Sequence, residues 1–209
     1  MKLTKYKHSC FTVEKDDQIL VVDPGEFSQD FIAPEHVVAI VITHKHGDHF
    51  DRDQLASIID KNPDALIIGS EEVTAEIEVF QTKTVHTGDT VVVGPFSLLF
   101  TGGNHAVIHS SMPVVENVGV IINELLYYPG DSLVLPGKAI DTLALPVAAP
   151  WMKIGEGIDF LVTVKPRLAF PTHDAILSQE GQEVCDAIAG RFASANGIEY
   201  KRLDSSIEI

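Results

Sequence analysis

The run Thr43-His44-Lys45-His46-Gly47-Asp48-His49 places three histidines and one aspartate within six residues. Imidazole and carboxylate are ligands of zinc and other divalent first-row metals. In an extended segment, residues two apart point the same way. His44 and His46 can therefore reach one cation while Lys45 points elsewhere. Gly47 allows a sharp bend, after which Asp48 and His49 can face a second position. A catalytic cation takes about three protein ligands and keeps one position open. The run thus reads as half of a two-metal site, and the remaining ligands must come from later in the chain.

Suitable residues stand where apolar runs end. His105 follows Gly102-Gly103-Asn104, Asp131 follows Tyr127-Tyr128-Pro129-Gly130, and His173 follows Phe170-Pro171-Thr172. Each lies in a turn from which ligands can converge over one rim of a sheet. For Asp131 the plainer reading is a hairpin-turn aspartate. His109 lies four residues beyond His105, and spacing alone leaves both open as ligands. At Pro150-Trp151-Met152-Lys153, Trp151 reads as a packing anchor or a pocket wall, and Lys153 as a cation for an anionic group. His8, His36 and His86 have no ligand partner nearby in sequence and read as ordinary histidines. Of the three, His8 alone lies in a strand turn that could approach the site.

Positioning these residues requires a scaffold of alternating strands and helices. Residues 37–42 form an apolar run that reads as a buried strand ending at the histidines. Residues 18–22 form another, stopped by Asp23-Pro24-Gly25, a strong turn signal. Two short strands are expected over 2–7 and 10–14. Residues 51–60 read as a helix with Leu55, Ile58 and Ile59 on one face, ended by Asn62-Pro63. A strand over 65–69 makes 37–69 a βαβ unit.

A short acidic helix is expected over 71–79, and hairpins over 83–100. The Gly-rich segment 101–105 is expected to break that sheet, and 106–116 to be a loop. Residues 117–122 and 125–128 read as a hairpin. Strands over 142–147 and 167–171 flank an amphipathic helix over 154–164. A helix over 180–195, capped by Asn196-Gly197, precedes an edge strand. The interleaving argues for one α/β domain over 1–209 with helix-covered sheets.

In composition, order and spacing, His44-x-His46-x-Asp48-His49, the Gly-rich turn with His105, Gly130-Asp131 and Pro171-Thr172-His173 resemble the metallo-β-lactamase fold superfamily. The likeness covers nearly the whole chain. More narrowly, Asp48-His49-Phe50-Asp51 and the lack of large insertions resemble the L-ascorbate-6-phosphate lactonase-like branch. The resemblance implies an α/β (α+β) fold, a four-layer αββα sandwich with two divalent metal ions at one edge between the sheets. Zinc is the first expectation and manganese the second.

His44, His46 and His105 would bind the first ion; Asp48, His49 and His173 the second; Asp131 would bridge them. The resemblance favours His105 over His109, which would instead line the substrate pocket with Trp151 and Lys153. The implied activity is metal-dependent hydrolysis, in which a metal-bound hydroxide cleaves a small-molecule ester, lactone or phosphoester. Asp48 is the implied proton carrier to the leaving group. The alternatives on this fold are a mononuclear-iron sulfur dioxygenase and a metal-dependent nuclease. Di-iron oxidoreductases of the superfamily typically have glutamate where this chain has His46.

Composition narrows the partners. A formal net charge of −15 repels polyanions, so neither nucleic acid nor an anionic membrane is an expected partner. No apolar run approaches the length that spans a bilayer. The basic N-terminus has no apolar stretch behind it, so no secretory signal is read there. Cys10 and Cys185 are far apart and form no disulfide framework, which favours the cytoplasm. A small-molecule substrate is the expected partner, and a homo-oligomer is left open.

Overall fold

The computed structural model describes residues 1–209. The first half contains β1 (Lys2–Lys5), β2 (Phe11–Lys15), β3 (Gln18–Val22), β4 (Val37–Ile42), α1 (Arg52–Lys61), β5 (Leu66–Gly69), α2 (Glu71–Thr74) and β6 (Thr82–Thr84). The second contains β7 (Thr90–Val93), β8 (Phe96–Asn104), β9 (Glu116–Ile122), β10 (Leu126–Tyr128), β11 (Thr142–Pro146), α3 (Ile154–Val164), β12 (Leu168–Thr172), α4 (Gln179–Ala195), β13 (Glu199–Tyr200) and β14 (Ile207–Glu208). They form two seven-stranded mixed sheets, ordered β14-β1-β2-β3-β4-β5-β6 and β13-β12-β11-β10-β9-β8-β7.

Alternation along the strands dictates the layering. In β3 and β4, Leu20, Val22, Ala39 and Val41 point into a core shared with Phe96, Leu98, Phe100, Val120 and Phe170 of the other sheet. Their neighbours Val21, Ile40 and Ile42 point the opposite way, onto Leu55, Ile58 and Ile59 of α1. On the far side, Ile121, Tyr127, Leu143 and Leu145 meet Phe160 and Leu161 of α3 and Ala193 of α4. The result is the expected four-layer αββα sandwich. Strands buried on both faces need apolar residues at every position, which is why β3 and β4 read as continuous apolar runs.

The expected βαβ unit is present: β4 and β5 pair in parallel around α1. Asp51 is the N-cap of α1, its carboxylate accepting from the backbone of Asp53 and Gln54.

Three expectations fail. Over 83–100 only β7 and β8 form a hairpin, while β6 pairs in parallel with β5 in the other sheet. The acidic helix stops at Thr74 instead of reaching residue 79. Val73 is the only buried residue of the helix and Val79 is exposed, too little packing to extend a short helix. The Gly-rich segment does not break its sheet either. β8 runs through Gly102 and Gly103 to Asn104, paired with Val118, Asn117 and Glu116. Both glycines have positive φ, yet the ladder persists and carries the chain directly to His105.

The sheets are stitched together at one edge. Val118 N–H donates to Thr43 C=O at 2.9 Å, and His173 N–H to His8 C=O at 3.1 Å. Every expected ligand lies at or next to this seam.

Candidate metal centre

The loop after β4 delivers His44, His46, Asp48 and His49. The end of β8 delivers His105, the turn after β10 delivers Asp131, and the end of β12 delivers His173. His44, His46 and His105 form one group of ligand atoms within 4.8 Å of one another; Asp48, His49 and His173, joined by His8, form another. Asp131 lies between them. Its carboxylate is 3.2 Å from His105 Nε2, 3.1 Å from His49 Nε2 and 2.9 Å from His173 Nε2.

The histidine tautomers are fixed by the groups behind each ring. His49 Nδ1–H donates to Asp23 Oδ2 at 2.7 Å, and His173 Nδ1–H to Ala148 C=O at 2.7 Å. His105 Nδ1–H donates to Ala106 C=O. Thr43 Oγ1 gives its proton to Asp23 Oδ2 and so accepts from His44 Nδ1–H at 3.1 Å. All four rings therefore turn Nε2 inward. An outer oxygen that fixes the ring and leaves the other nitrogen free is the usual support of a metal-binding histidine.

Of these rings only His49 turns Nε2 to a hydrogen-bonding group, Ser9 Oγ at 3.3 Å. His44 Nε2, His105 Nε2, His173 Nε2 and Asp131 Oδ1 are buried without a hydrogen-bond partner. Several sit within ion-pair distance of one another, but without hydrogen-bond alignment. Buried polar atoms left this way are costly, and together they fit a divalent cation.

The charge states of the metal-free protein fit the same picture. Burial raises the energy of the Asp131 carboxylate, but His49, His173 and His105 outweigh it and hold its pKa well below the usual range. Burial likewise disfavours a charged His49, yet Asp131 and Asp23 on either side hold its pKa well above normal. A proton there occupies the place a cation would take. His44 is pushed well below its ordinary value, chiefly by burial and then by His49.

A family model described as a beta-lactamase superfamily domain matches residues 2–173. The chain belongs to the β-lactamase superfamily. Protein Rv0786c of Mycobacterium tuberculosis is 38% identical over 189 residues, 88% of this chain and 89% of that protein. A UPF0173 metal-dependent hydrolase of Carboxydothermus hydrogenoformans is 28% identical over 193 residues, 83% of this chain and 84% of its own. Among solved structures, Igni18, a metallo hydrolase of Ignicoccus hospitalis, shares the fold with a TM-score of 0.75 at 20% identity, covering 100% of this chain and 98% of that one.

Within this superfamily fold, the other expected site residues fall differently. His109 is exposed, its Nδ1 2.7 Å from Ser111 Oγ, and it joins neither ligand group. Lys153 is exposed at the start of α3, where its backbone N–H donates to Glu156. Trp151 does more than pack: its indole N–H donates to Asp131 Oδ2 at 2.8 Å. Lys45 turns away from the centre to Glu72, at 3.3 Å. His36 and His86 are exposed and apart from the site.

Three supporting residues escape a reading of motifs alone. Asp23 accepts from Thr43, His49 and Tyr128. Asn117 clamps the Asp131 turn, accepting from Asp131 N–H and donating to Pro129 C=O, both at 2.9 Å. His8 is fully buried against Asp48, and burial lowers its pKa to about 4. For Asp23 a usable signal was present, an aspartate ending a buried strand just as His44 follows β4.

Gly25 shows how closely the β3 loop backs this run. A Cβ there would lie 2.0 Å from Asp48 O and 2.4 Å from His49 N. Gly25→Ala should therefore push the His44–His49 run aside. The overpacking should cost about 1–3 kcal/mol. Thermal melts with and without added divalent metal test this, and the variant should melt lower and gain less from the metal than wild type. Wild-type melting under both conditions would show that the loop yields freely.

Proposed function

We propose that this metal-dependent hydrolase cleaves a small carboxylic ester or lactone and holds two divalent ions, preferably zinc. His44, His46 and His105 hold one, Asp48, His49 and His173 the other, and Asp131 lies between them. The observation that carries this is the set of inward Nε2 atoms and the Asp131 oxygen buried without partners. Imidazoles outnumber carboxylates among the donors, which favours zinc over manganese. Bound ions supply an activated water and an electrophile for the oxygen that gains charge in the reaction.

The chain's own residues do the rest. Trp151 and Asn117 hold the Asp131 carboxylate and its turn. Asp48 is half-buried at the mouth and is placed to pass a proton to the leaving group. The ligand-bearing loops also expose large apolar side chains: Val107, Met112 and Val114 beyond His105, Val134 and Leu135 beyond Asp131, and Ile176 beyond His173. These favour a substrate with an apolar portion over a phosphorylated one.

No helix is long and apolar enough to cross a membrane. The free cysteines Cys10 and Cys185 favour a reducing cytoplasm. The net charge of −15 favours a small-molecule partner over nucleic acid.

The deciding experiment combines metal analysis with a substrate panel. Protein purified from its native host should carry two zinc ions per chain. It should turn over esters or lactones faster than phosphodiesters, with kcat/KM rising with acyl length. Chelation should abolish turnover and lower Tm, since ligand at 100 times its Kd stabilises by about 2.7 kcal/mol. One iron per chain, or turnover that survives complete metal removal, would overturn the reading.

A further inference from the structure

We propose that His8 is a positioning residue of the second metal position, presenting Asp48 and tying down the His173 segment without being a ligand itself. This rests on the two-metal reading above. His8 sits in the β1–β2 turn with a left-handed backbone, φ 57, and is fully buried. That backbone is strained for a residue with a Cβ. It places the imidazole beneath the centre, its ring 4.2 Å from the ring of His173 between centroids.

Its tautomer is the reverse of the other rings. Ala175 N–H can only donate, and it points at His8 Nδ1 from 3.3 Å. Nδ1 is therefore the acceptor, and the ring proton is on Nε2. That proton is donated to Asp48 Oδ2 at 3.0 Å. His44, His105 and His173 donate from Nδ1 and leave Nε2 without a partner; His8 does the opposite. A nitrogen that donates a proton cannot also offer its lone pair to a metal. Proximity alone would count His8 among the ligands, and its hydrogen bonds exclude it.

His8 also reaches the second sheet. Its carbonyl accepts from His173 N–H at 3.1 Å, and its Nδ1 holds the next turn at Ala175. One residue thus fixes a ligand on the β4–α1 loop and another on the β12–α4 loop. Both belong to the second position. The first, made by His44, His46 and His105, is built from other supports.

The test is a zinc titration of wild-type, His8→Phe and His8→Gln, followed by calorimetry and chelator competition, with cobalt spectra of the fully loaded proteins. His8→Phe keeps the bulk and loses the donor. It should weaken one binding step by about 10–100-fold and leave the other intact, as expected for loss of an outer partner. That intact step also reports a folded chain. His8→Gln restores a donor near the Nε2 position and should recover most of the lost affinity, with a wild-type cobalt spectrum.

Both steps unchanged in His8→Phe would overturn the proposal, as would loss of both steps in both variants. Failure of His8→Gln as complete as that of His8→Phe, with an altered cobalt spectrum, would make His8 a ligand and also overturn it. A wild-type chain that binds fewer than two ions would defeat the two-metal reading itself, a separate readout.

Discussion

Asp131→Asn is expected to cost about 10³ in kcat, the upper range for losing one charge-stabilising group. The side chain is nearly isosteric, so the effect comes from charge. Asp131 touches ring nitrogens of both ligand groups, His105 of the first and His49 and His173 of the second. On the two-ion reading proposed above, an amide there would offer no anion to either ion, and with its oxygen held at the Oδ2 position by Trp151 its NH2 would face His49 Nε2. Removing an outer partner of a metal ligand costs about 10–100-fold in affinity, and loss of the bridge proposed for Asp131 should exceed that range.

The backbone should not move. Asn117 holds Asp131 N–H, and Gly130 makes the turn at φ +63, where a Cβ would lie 2.3 Å from Asn117 Oδ1. Trp151 can still donate to the amide oxygen. Circular dichroism should match wild type, while steady-state kinetics and metal analysis show the loss. Two tightly bound ions with wild-type turnover would sink the bridging assignment.

The fold is legible in the sequence where burial is two-sided or one-sided without exception. β3, β4 and α3 lie where the apolar patterns place them, because each apolar position has a packing partner on a neighbouring layer. The Gly102-Gly103 segment is misleading for a physical reason. Glycine reports backbone freedom, whereas the length of a strand is set by its partner, here β9.

A similar division runs through the site. His44, His46, His49, His105, Asp131 and His173 are legible because chemical side chains at the ends of apolar runs are conspicuous. The supports are not. Asp23 lies 26 residues from His49, and His8 lies 40 from Asp48. Their roles exist only once the strands align and the two sheets close. Asp23-Pro24-Gly25 is also explained by a turn alone, and that sufficient local reason hides the tertiary one.

Asp23 therefore carries the other large expected effect. Its carboxylate is fully buried and accepts from Thr43 N–H, Thr43 Oγ1–H, His49 Nδ1–H and Tyr128 O–H. Asp23→Ala strands all of these donors. Each buried unsatisfied group costs about 1–3 kcal/mol. The sum is comparable with the whole stability of a domain, roughly 5–15 kcal/mol. That variant should accumulate poorly or melt far below wild type.

Asp23→Asn is the more informative change. Oδ1 must stay toward Thr43 N–H, which fixes the new NH2 at the Oδ2 position, facing His49. A donor there forces His49 Nδ1 to become an acceptor and moves the ring proton to Nε2. The imidazole keeps its place but loses the inward lone pair. In serine-protease triads the corresponding tautomer error costs about 10⁴ in kcat. Thr43 Oγ1 meets the same NH2 and its proton is freed for His44 Nδ1, so metal binding should weaken throughout the centre and kcat should fall by a factor on the order of 10²–10⁴. Nitrogen NMR of labelled histidines would show the proton on His49 Nε2 in the metal-free variant, against Nδ1 in zinc-loaded wild type. A variant that binds two ions with Nδ1 still protonated would show that Asp23 does not set the ring.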